Sequence, residues 1–180
     1  RSAATIAGAN IIEYSLKEEN NWCPDSEELE KEGVNTLPLM FILSPPLPPG
    51  QLPTLEMFSE LIAFAKKHNI LLIHDNPYSF ILNDHPMSLL SIEGAKEVAV
   101  ELKSFSKSHN MAGWRVGMLC GAKERIEEVL RFKSNMDSGM FLPLQLAAAK
   151  ALGLDQSWYD SINAVYKKRR ERVFELLNLL

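Results

Sequence analysis

Short apolar runs alternate along the chain with longer segments of helical periodicity. Two runs, 39–43 (LMFIL) and 70–73 (ILLI), are continuously apolar, which is typical of strands buried on both faces of a sheet. A run at 9–16, rich in Ile and Tyr, also predicts a strand. Further strands are predicted at 97–102 and 116–120.

The clearest amphipathic segment begins after Thr54, which has the side chain of an N-cap residue. Its apolar positions recur every three or four residues and are Leu55, Phe58, Leu61, Ile62 and Ala65. This helix is predicted to end near His68. Other helices are predicted at 26–31, 122–133, 143–152 and from Asp155 to the C-terminus. The helix at 122–133 would place Ile126, Val129 and Leu130 on one face, and the last helix would bury Trp158, Ile162, Val165, Val173, Leu176 and Leu177.

This alternation of strands and helices predicts an α/β fold with a largely parallel sheet flanked by helices. A proline-rich segment at 44–50 (SPPLPPG) is neither helix nor central strand, so it is predicted to be a stiff loop. No linker divides the sequence, and the pattern predicts a single domain over residues 1–180.

Composition narrows the classes of function. The chain has 180 residues and a net charge of -4, which gives no reason to expect a nucleic-acid or anionic-membrane partner. Cys23 and Cys120 are far apart, which indicates reduced thiols in a cytoplasmic protein. The four histidines do not have the spacing of metal ligands, so no metal site is predicted. No apolar stretch is long enough to span a bilayer, and the first ten residues lack the apolar core of a signal peptide.

Polar residues follow three of the predicted strands. They lie in the loop at 44–50, in the segment 74–78 (HDNPY) and in the segment 103–107 (KSFSK). In open α/β sheets, ligands bind beyond the carboxyl ends of the strands. The three segments are therefore expected to meet at one ligand site.

Two motifs in these segments resemble those of a known family. The sequence SFSKSHNMAGWRVG at 104–117 closely resembles the lysine motif of the class I and II aminotransferases, which are pyridoxal-phosphate (PLP) enzymes of fold type I. HDNPY resembles the Asp-x-x-Tyr motif of the same family. The resemblance extends from about residue 11 to residue 180. It implies that the chain is the central part of a cofactor-binding large domain, with the helix at 155–180 leading toward a small domain.

The resemblance implies specific roles around the ring of PLP. Lys107 would form the Schiff base with the cofactor aldehyde and then move a proton between the substrate α-carbon and the cofactor. Asp75 would lie beside the ring nitrogen and keep it protonated, because a carboxylate favours a neighbouring cation. Tyr78 would donate a hydrogen bond to the ring oxygen.

The cofactor phosphate would be bound by a second group of residues. Ser104 and Arg115 stand at the family's phosphate-binding positions, and an arginine suits a forked contact with an anion. Ser106 would add a minor contact. The loop at 44–50 departs from the family pattern, because Leu47 stands where the family has an asparagine that binds the ring oxygen. Tyr78 would then serve alone.

The resemblance favours an enzyme that transfers an amino group between an amino acid and a 2-oxo acid. A carbon–sulfur β-lyase of the same fold stays open, as does a non-catalytic scaffold. The family's substrate-carboxylate arginine, its earlier phosphate loop and its ring-stacking aromatic residue are not found in these 180 residues, so weak or no activity is expected of the chain alone. The whole protein is expected to be a cytoplasmic homodimer, and a monomeric state stays open for this chain.

Overall fold

The computed structural model describes residues 2–31, 33–34 and 37–179. The chain divides into two compact units, Arg1–Leu37 and Pro38–Leu180. The prediction of a single domain over residues 1–180 stays a prediction, as does the prediction that residues 155–180 lead toward a further domain.

The first unit contains two short helices, α1 at Ser2–Ile6 and α2 at Ser26–Lys31, with a 3-10 turn at Glu18–Asn20 between them. Asp25 caps α2, since its carboxylate accepts hydrogen bonds from the first backbone N–H groups of that helix. The prediction of α2 is confirmed, but the strand predicted at 9–16 is wrong. Within the described residues this segment has no neighbouring strand to pair with, and β-propensity alone does not make a strand.

The second unit is built on a four-stranded sheet in the order β1–β2–β3–β4. The strands are β1 at Leu39–Leu43, β2 at Leu71–Asp75, β3 at Ala99–Ser104 and β4 at Gly117–Gly121. β1, β2 and β3 are parallel, whereas β4 is antiparallel to β3. The predicted α/β class is confirmed, and the sheet is mixed, with two parallel pairings out of three.

Burial alternates along β1, so its prediction as a strand buried on both faces is wrong. Met40 and Ile42 are buried, but Leu39 and Phe41 are 47% and 60% exposed. In the described part of the chain, helices cover β1 on one face only. The continuous apolar run therefore predicted the strand correctly but did not predict that one of its faces is exposed.

Helix α3, at Leu55–His68, packs on the buried face of the sheet. Thr54 is its N-cap and accepts a hydrogen bond from the Met57 N–H, as predicted. The Phe58 ring meets the ring of His74 on β2 edge-on, with 5.3 Å between the ring centroids. Leu55 differs from the prediction, because it is 57% exposed in the first turn.

Two short helices flank β3, and three longer helices follow β4. They are α4 at Ala95–Val98, α5 at Phe105–Ser108, α6 at Lys123–Met136, α7 at Leu142–Leu152 and α8 at Gln156–Leu177, with 3-10 turns at Leu89–Ser91 and Ala112–Trp114. Because α4 occupies 95–98, β3 begins two residues later than predicted. Ala148 and Ala151 of α7 pack with Phe105, Met111 and Val116 in a buried cluster. This cluster anchors the segment that follows β3.

The burial predicted for the last helix is wrong at four of its six positions. In α8, Ile162 is buried and Trp158 is half-buried, but Val165, Val173, Leu176 and Leu177 are all exposed. In α6, Val129 and Leu130 are about half exposed. Helical periodicity predicted these helices correctly, whereas burial depends on a neighbour that the described residues do not provide. Leu180, the predicted end of α8, lies outside the described residues.

Candidate active site

A cavity of about 390 Å³ lies at the carboxyl ends of β2 and β3 and at the start of β4. Ligand pockets typically have volumes of this order. It is lined by Asp75, Leu102, Lys103, Ser104, Ser106, Arg115, Val116, Gly117, Met118 and Leu119. Four of the six residues predicted for the site therefore line one cavity.

The turn from β3 into α5 positions the serines. Ser104 ends β3 and is the N-cap of α5, and its Oγ accepts a hydrogen bond from the Ser106 N–H at 3.1 Å. Phe105, between them, is 2% exposed and points into the core. The two serines are thus held at the cavity by one buried aromatic side chain, and the Ser104 hydroxyl can still donate to a ligand.

Lys107 and Tyr78 form a separate pair. Neither lines the cavity, but the Lys107 Nζ lies 6.0 Å from the centroid of the Tyr78 ring, at the outer limit of a cation–π contact. Lys107 belongs to α5, and Tyr78 lies in the loop that follows β2. The six predicted residues therefore fall into a group of four and a pair, and their roles stay predictions.

Arg115 connects the 3-10 turn at Ala112–Trp114 to β4. Its backbone is left-handed, with a φ of 52°, and its Nη1 donates a hydrogen bond to the Ala112 carbonyl at 2.8 Å. A guanidinium has five N–H donors, so this bond leaves others for an anion in the cavity. Arg115 is exposed, as an incoming ligand requires.

Asp75 is the last residue of β2 and pairs with Leu43 and Leu102 on the neighbouring strands. Burial raises the pKa of this carboxyl, and the nearby His74 acts in the opposite direction. A cationic N–H group beside Asp75 would lower the pKa again, because it favours the ionised carboxylate. A cationic partner would therefore restore the ionised state that burial disfavours.

His74 is fully buried directly before Asp75 and contacts both neighbouring strands. Its Nδ1 lies 3.1 Å from a carboxylate oxygen of Glu101 on β3, and its Nε2 lies 3.2 Å from the Ser44 carbonyl oxygen after β1. Both partners accept hydrogen bonds, so an imidazolium with two N–H groups satisfies both. The ring ties together the three parallel strands one residue before Asp75.

Glu101 is the centre of this buried network. Besides His74, it accepts hydrogen bonds from the Asn76 amide, the Ser88 hydroxyl and the Leu89 N–H at 3.0, 2.7 and 3.0 Å. Burial acts to raise the pKa of Glu101, but the hydrogen bonds and the charge of His74 outweigh it and lower the pKa. Glu101 is therefore an ionised carboxylate with its hydrogen-bonding capacity well used.

Lys103 is a site residue that the sequence interpretation missed. It lines the cavity, contacts the Ser79 hydroxyl, and its Nζ lies 4.3 Å from the centroid of the Phe80 ring. Burial lowers its pKa to about 8, although the charge of Glu101 acts to raise it. Its surroundings come from Ser79 and Phe80 in a different segment, so no local sequence pattern identifies it.

The loop at 44–50 contributes little to the cavity. Leu47 is 54% exposed, and no residue of this loop lines the cavity described above. The position of Leu47 outside the cavity agrees with the sequence, which has a leucine where the family has an asparagine that binds the cofactor ring.

The described residues contain neither a metal-binding cluster nor a membrane-spanning helix. No group of three or more His, Cys, Asp or Glu side chains there is arranged to hold a metal ion. Among the helices of the described ranges, none has the length and apolar character needed to cross a membrane.

Solved structures share this fold. BacF from Bacillus subtilis has a TM-score of 0.88 at 40% identity over 93% of this chain and 43% of its own. A probable N-succinyldiaminopimelate aminotransferase from Thermus thermophilus has a TM-score of 0.90 at 28% identity over 99% of this chain and 48% of its own. The fold is that of the PLP-dependent aminotransferases.

Sequence comparison identifies the family. The family model for Aminotransferase class I and II matches residues 1–179, so the chain belongs to that family. An LL-diaminopimelate aminotransferase from Dehalococcoides mccartyi is 41% identical over 97% of this chain. The chain spans about half the length of this relative, 46%. The resemblance seen in the two motifs is confirmed.

Proposed function

We propose that the protein containing this chain is a PLP-dependent aminotransferase that moves an amino group between an amino acid and a 2-oxo acid. The observation that carries the proposal is the cavity at the strand ends. It combines a carboxylate, two hydroxyls and a guanidinium, and it lies in a chain of the aminotransferase family. The Lys107–Tyr78 pair, on segments that continue from the same strands, supplies an amine.

The residues present fit PLP. Ser104, Ser106 and Arg115 offer hydroxyl and guanidinium donors of the kind that bind a phosphate dianion. Asp75 offers a carboxylate on the same cavity, and its surroundings favour a cationic N–H partner such as a protonated pyridine nitrogen. Polar groups of opposite charge on one cavity match a ligand with an anionic and a cationic end.

When bound, PLP supplies an electron-withdrawing ring that stabilises negative charge at the α-carbon of an amino acid. Lys107 would hold the cofactor through its Nζ, and its amine would be the base that moves the α-proton of the substrate. Tyr78, whose ring lies 6.0 Å from Lys107 Nζ, would position that amine and would donate a hydrogen bond from its hydroxyl to the ring oxygen of PLP. Asp75 would keep the ring nitrogen protonated, and Ser104 and Arg115 would bind the anionic end of the cofactor.

The printed name of the Dehalococcoides relative suggests LL-diaminopimelate as the first amino donor to assay. That substrate would place the protein in amino acid biosynthesis. We further propose a cytoplasmic homodimer, as expected from the sequence. The alternatives of a carbon–sulfur β-lyase and of a non-catalytic scaffold find no support in the comparisons.

The proposal is tested with the complete protein that contains this chain. Purified protein with PLP is given LL-diaminopimelate and 2-oxoglutarate, and glutamate is quantified by mass spectrometry. We expect glutamate from the natural protein and none above background from Lys107→Ala. Release of ammonia and pyruvate from a cysteine derivative, without glutamate, would contradict the proposal and favour the lyase.

A further inference from the structure

One face of α8 contacts the two segments that carry Tyr78 and Lys107. The contacts come from Trp158, Tyr159 and Asn163, which we call the α8 brace. Tyr159 and Asn163 are four residues apart and therefore lie on the same side of the helix. The contacting residues are 50 to 83 positions apart in the sequence, so these contacts are made by the tertiary fold.

The first half of the brace holds the segment that follows Lys107. The Trp158 Nε1–H donates a hydrogen bond to the Ser108 carbonyl at 3.0 Å. The Tyr159 hydroxyl lies 3.2 Å from His109 Nε2. Ser108 and His109 are both buried, so these bonds fix the exit from α5 in a place shielded from water.

The second half of the brace holds the loop that follows Tyr78. Asn163 accepts a hydrogen bond from the Leu82 N–H at 2.8 Å and donates one to the Phe80 carbonyl at 3.0 Å. The Tyr159 ring stacks on the Phe80 ring, with 4.9 Å between the centroids and 22° between the planes. Asn163 and the Tyr159 ring thus hold this loop from the side of α8, while Lys103 contacts Ser79 and Phe80 from β3.

Leu82 gives independent evidence that the loop is held in place. Its φ is 49°, in the left-handed region that an L-residue with a branched side chain rarely adopts. Such conformations persist where the surrounding structure fixes them, and they are frequent near functional sites. Asn163 accepts the N–H of this residue, so the brace contacts the strained position itself.

We infer that the α8 brace is a positioning device that sets the distance and orientation between Tyr78 and the Lys107 amine. Asn163 and Tyr159 act through the Phe80–Leu82 loop, and Tyr159 and Trp158 act through Ser108 and His109. None of the three brace residues lines the cavity. The importance of this spacing for catalysis rests on the proposed function, whereas the spacing itself is a property of the fold.

The test measures how strongly the Lys107 amine influences the Tyr78 ring without any cofactor. In the natural chain, Lys107→Ala should displace the NMR signals of the Tyr78 ring protons, because it removes the ammonium that faces the ring. In an Asn163→Ala background we expect this displacement to fall by at least about half, since ion–ring interactions weaken steeply with distance. Tyr166→Phe, about one turn after Asn163 on the same helix, is the control and should leave the displacement unchanged.

An unchanged displacement in folded Asn163→Ala would overturn the inference. If Asn163→Ala does not fold, Tyr159→Phe replaces it. That variant keeps the stacking on Phe80 and removes only the hydroxyl that contacts His109, so a smaller change in the same direction is expected. An unchanged displacement in that variant would likewise overturn the inference.

A second measurement separates this inference from the proposed function. PLP is titrated into each variant and labelling at Lys107 is fixed with borohydride. We expect Asn163→Ala to need about fivefold or more PLP for half-maximal labelling, because a misplaced amine forms the covalent bond less favourably. Labelling absent from the natural chain would contradict the proposed function and leave the ring measurement as the test of the brace. Equal labelling of natural chain and variant would contradict the brace alone.

Discussion

At the scale of single residues, two lysines four positions apart have different surroundings. Lys107 lies on α5 with its amine facing the Tyr78 ring. Lys103 lines the cavity, contacts Ser79 and Phe80, and has its pKa lowered to about 8 because burial disfavours the ammonium. Near pH 8, Lys103 is thus a partly neutral amine and a chemical competitor of Lys107 for aldehydes.

The titration of Lys103 can be measured through its reactivity. Acetylation by acetic anhydride needs the neutral amine, so the rate at Lys103 should level off just above pH 8 in the folded chain. In the chain unfolded by urea, the same residue should titrate as an ordinary lysine at about pH 10.4. Peptide mass mapping across a pH series that brackets both values gives both profiles. Coincident profiles for the folded and unfolded chain would show that folding does not lower the pKa of Lys103.

At the scale of elements, the site depends on how closely β4 approaches β3. Gly117 begins β4 opposite Ser104, and a Cβ atom at Gly117 would lie 2.9 Å from the Lys103 carbonyl oxygen. Glycine permits this approach of two backbones. The cavity wall formed by the two strands therefore requires glycine at this position.

Gly117→Ala should lower the free energy of unfolding by about 1–3 kcal/mol, the usual cost of forced overpacking. The control is Gly113→Ala, since a Cβ there would meet nothing within 4 Å. Urea unfolding followed by circular dichroism measures both variants. Equal stabilities for the two variants would contradict the close approach of β4.

At the scale of the whole molecule, the buried His74–Glu101 network joins the three parallel strands. Glu101→Gln keeps the shape of the side chain but removes the charge that four donors surround. We expect it to lower the free energy of unfolding at neutral pH by about 3 kcal/mol, as for other broken buried pairs. The matched control is Glu127→Gln on exposed α6, which should cost less than about 0.5 kcal/mol.

The effect of Glu101→Gln should also depend on pH. The folded protein lowers the pKa of Glu101. The stability that this carboxylate contributes is therefore complete above the ordinary glutamate pKa of about 4.3. It is lost as the pH falls through the lower pKa of the folded state. The difference between natural chain and variant should therefore shrink as the pH falls below about 4.3. A difference that stays the same or grows below that pH would show that the fold does not lower the pKa of Glu101.

Sequence patterns predicted the elements well, because they report local preferences. The Thr54 cap, the amphipathic spacing of α3 and the apolar run of β1 each depend on a few neighbouring residues. The direction of β4 was not predictable in this way, since strand pairing joins residues that are distant in sequence. The exposure of Phe41 could not be predicted for the same reason, because the burial of a strand face depends on which distant segment packs against it.

The candidate site shows a similar division. The motif at 104–117 led to Ser104, Ser106 and Arg115, which the fold brings to one cavity with Asp75. Lys103 and the partners of His74 were missed, because a buried charge is recognised by its three-dimensional neighbours. The contact between Asn163 and Leu82 spans 81 positions and has no counterpart in any local pattern.

We propose that this chain places Lys107 where its amine can hold PLP, and borohydride trapping of the adduct reports which lysine reacts. PLP is added near pH 8, where Lys103, with its pKa of about 8, is the competing amine in the same segment. The product is reduced with borohydride, and the modified lysine is located by peptide mass mapping. We predict that the adduct forms on Lys107, persists in Lys103→Met and disappears in Lys107→Ala. An adduct on Lys103, or labelling spread over exposed lysines, would contradict the claim.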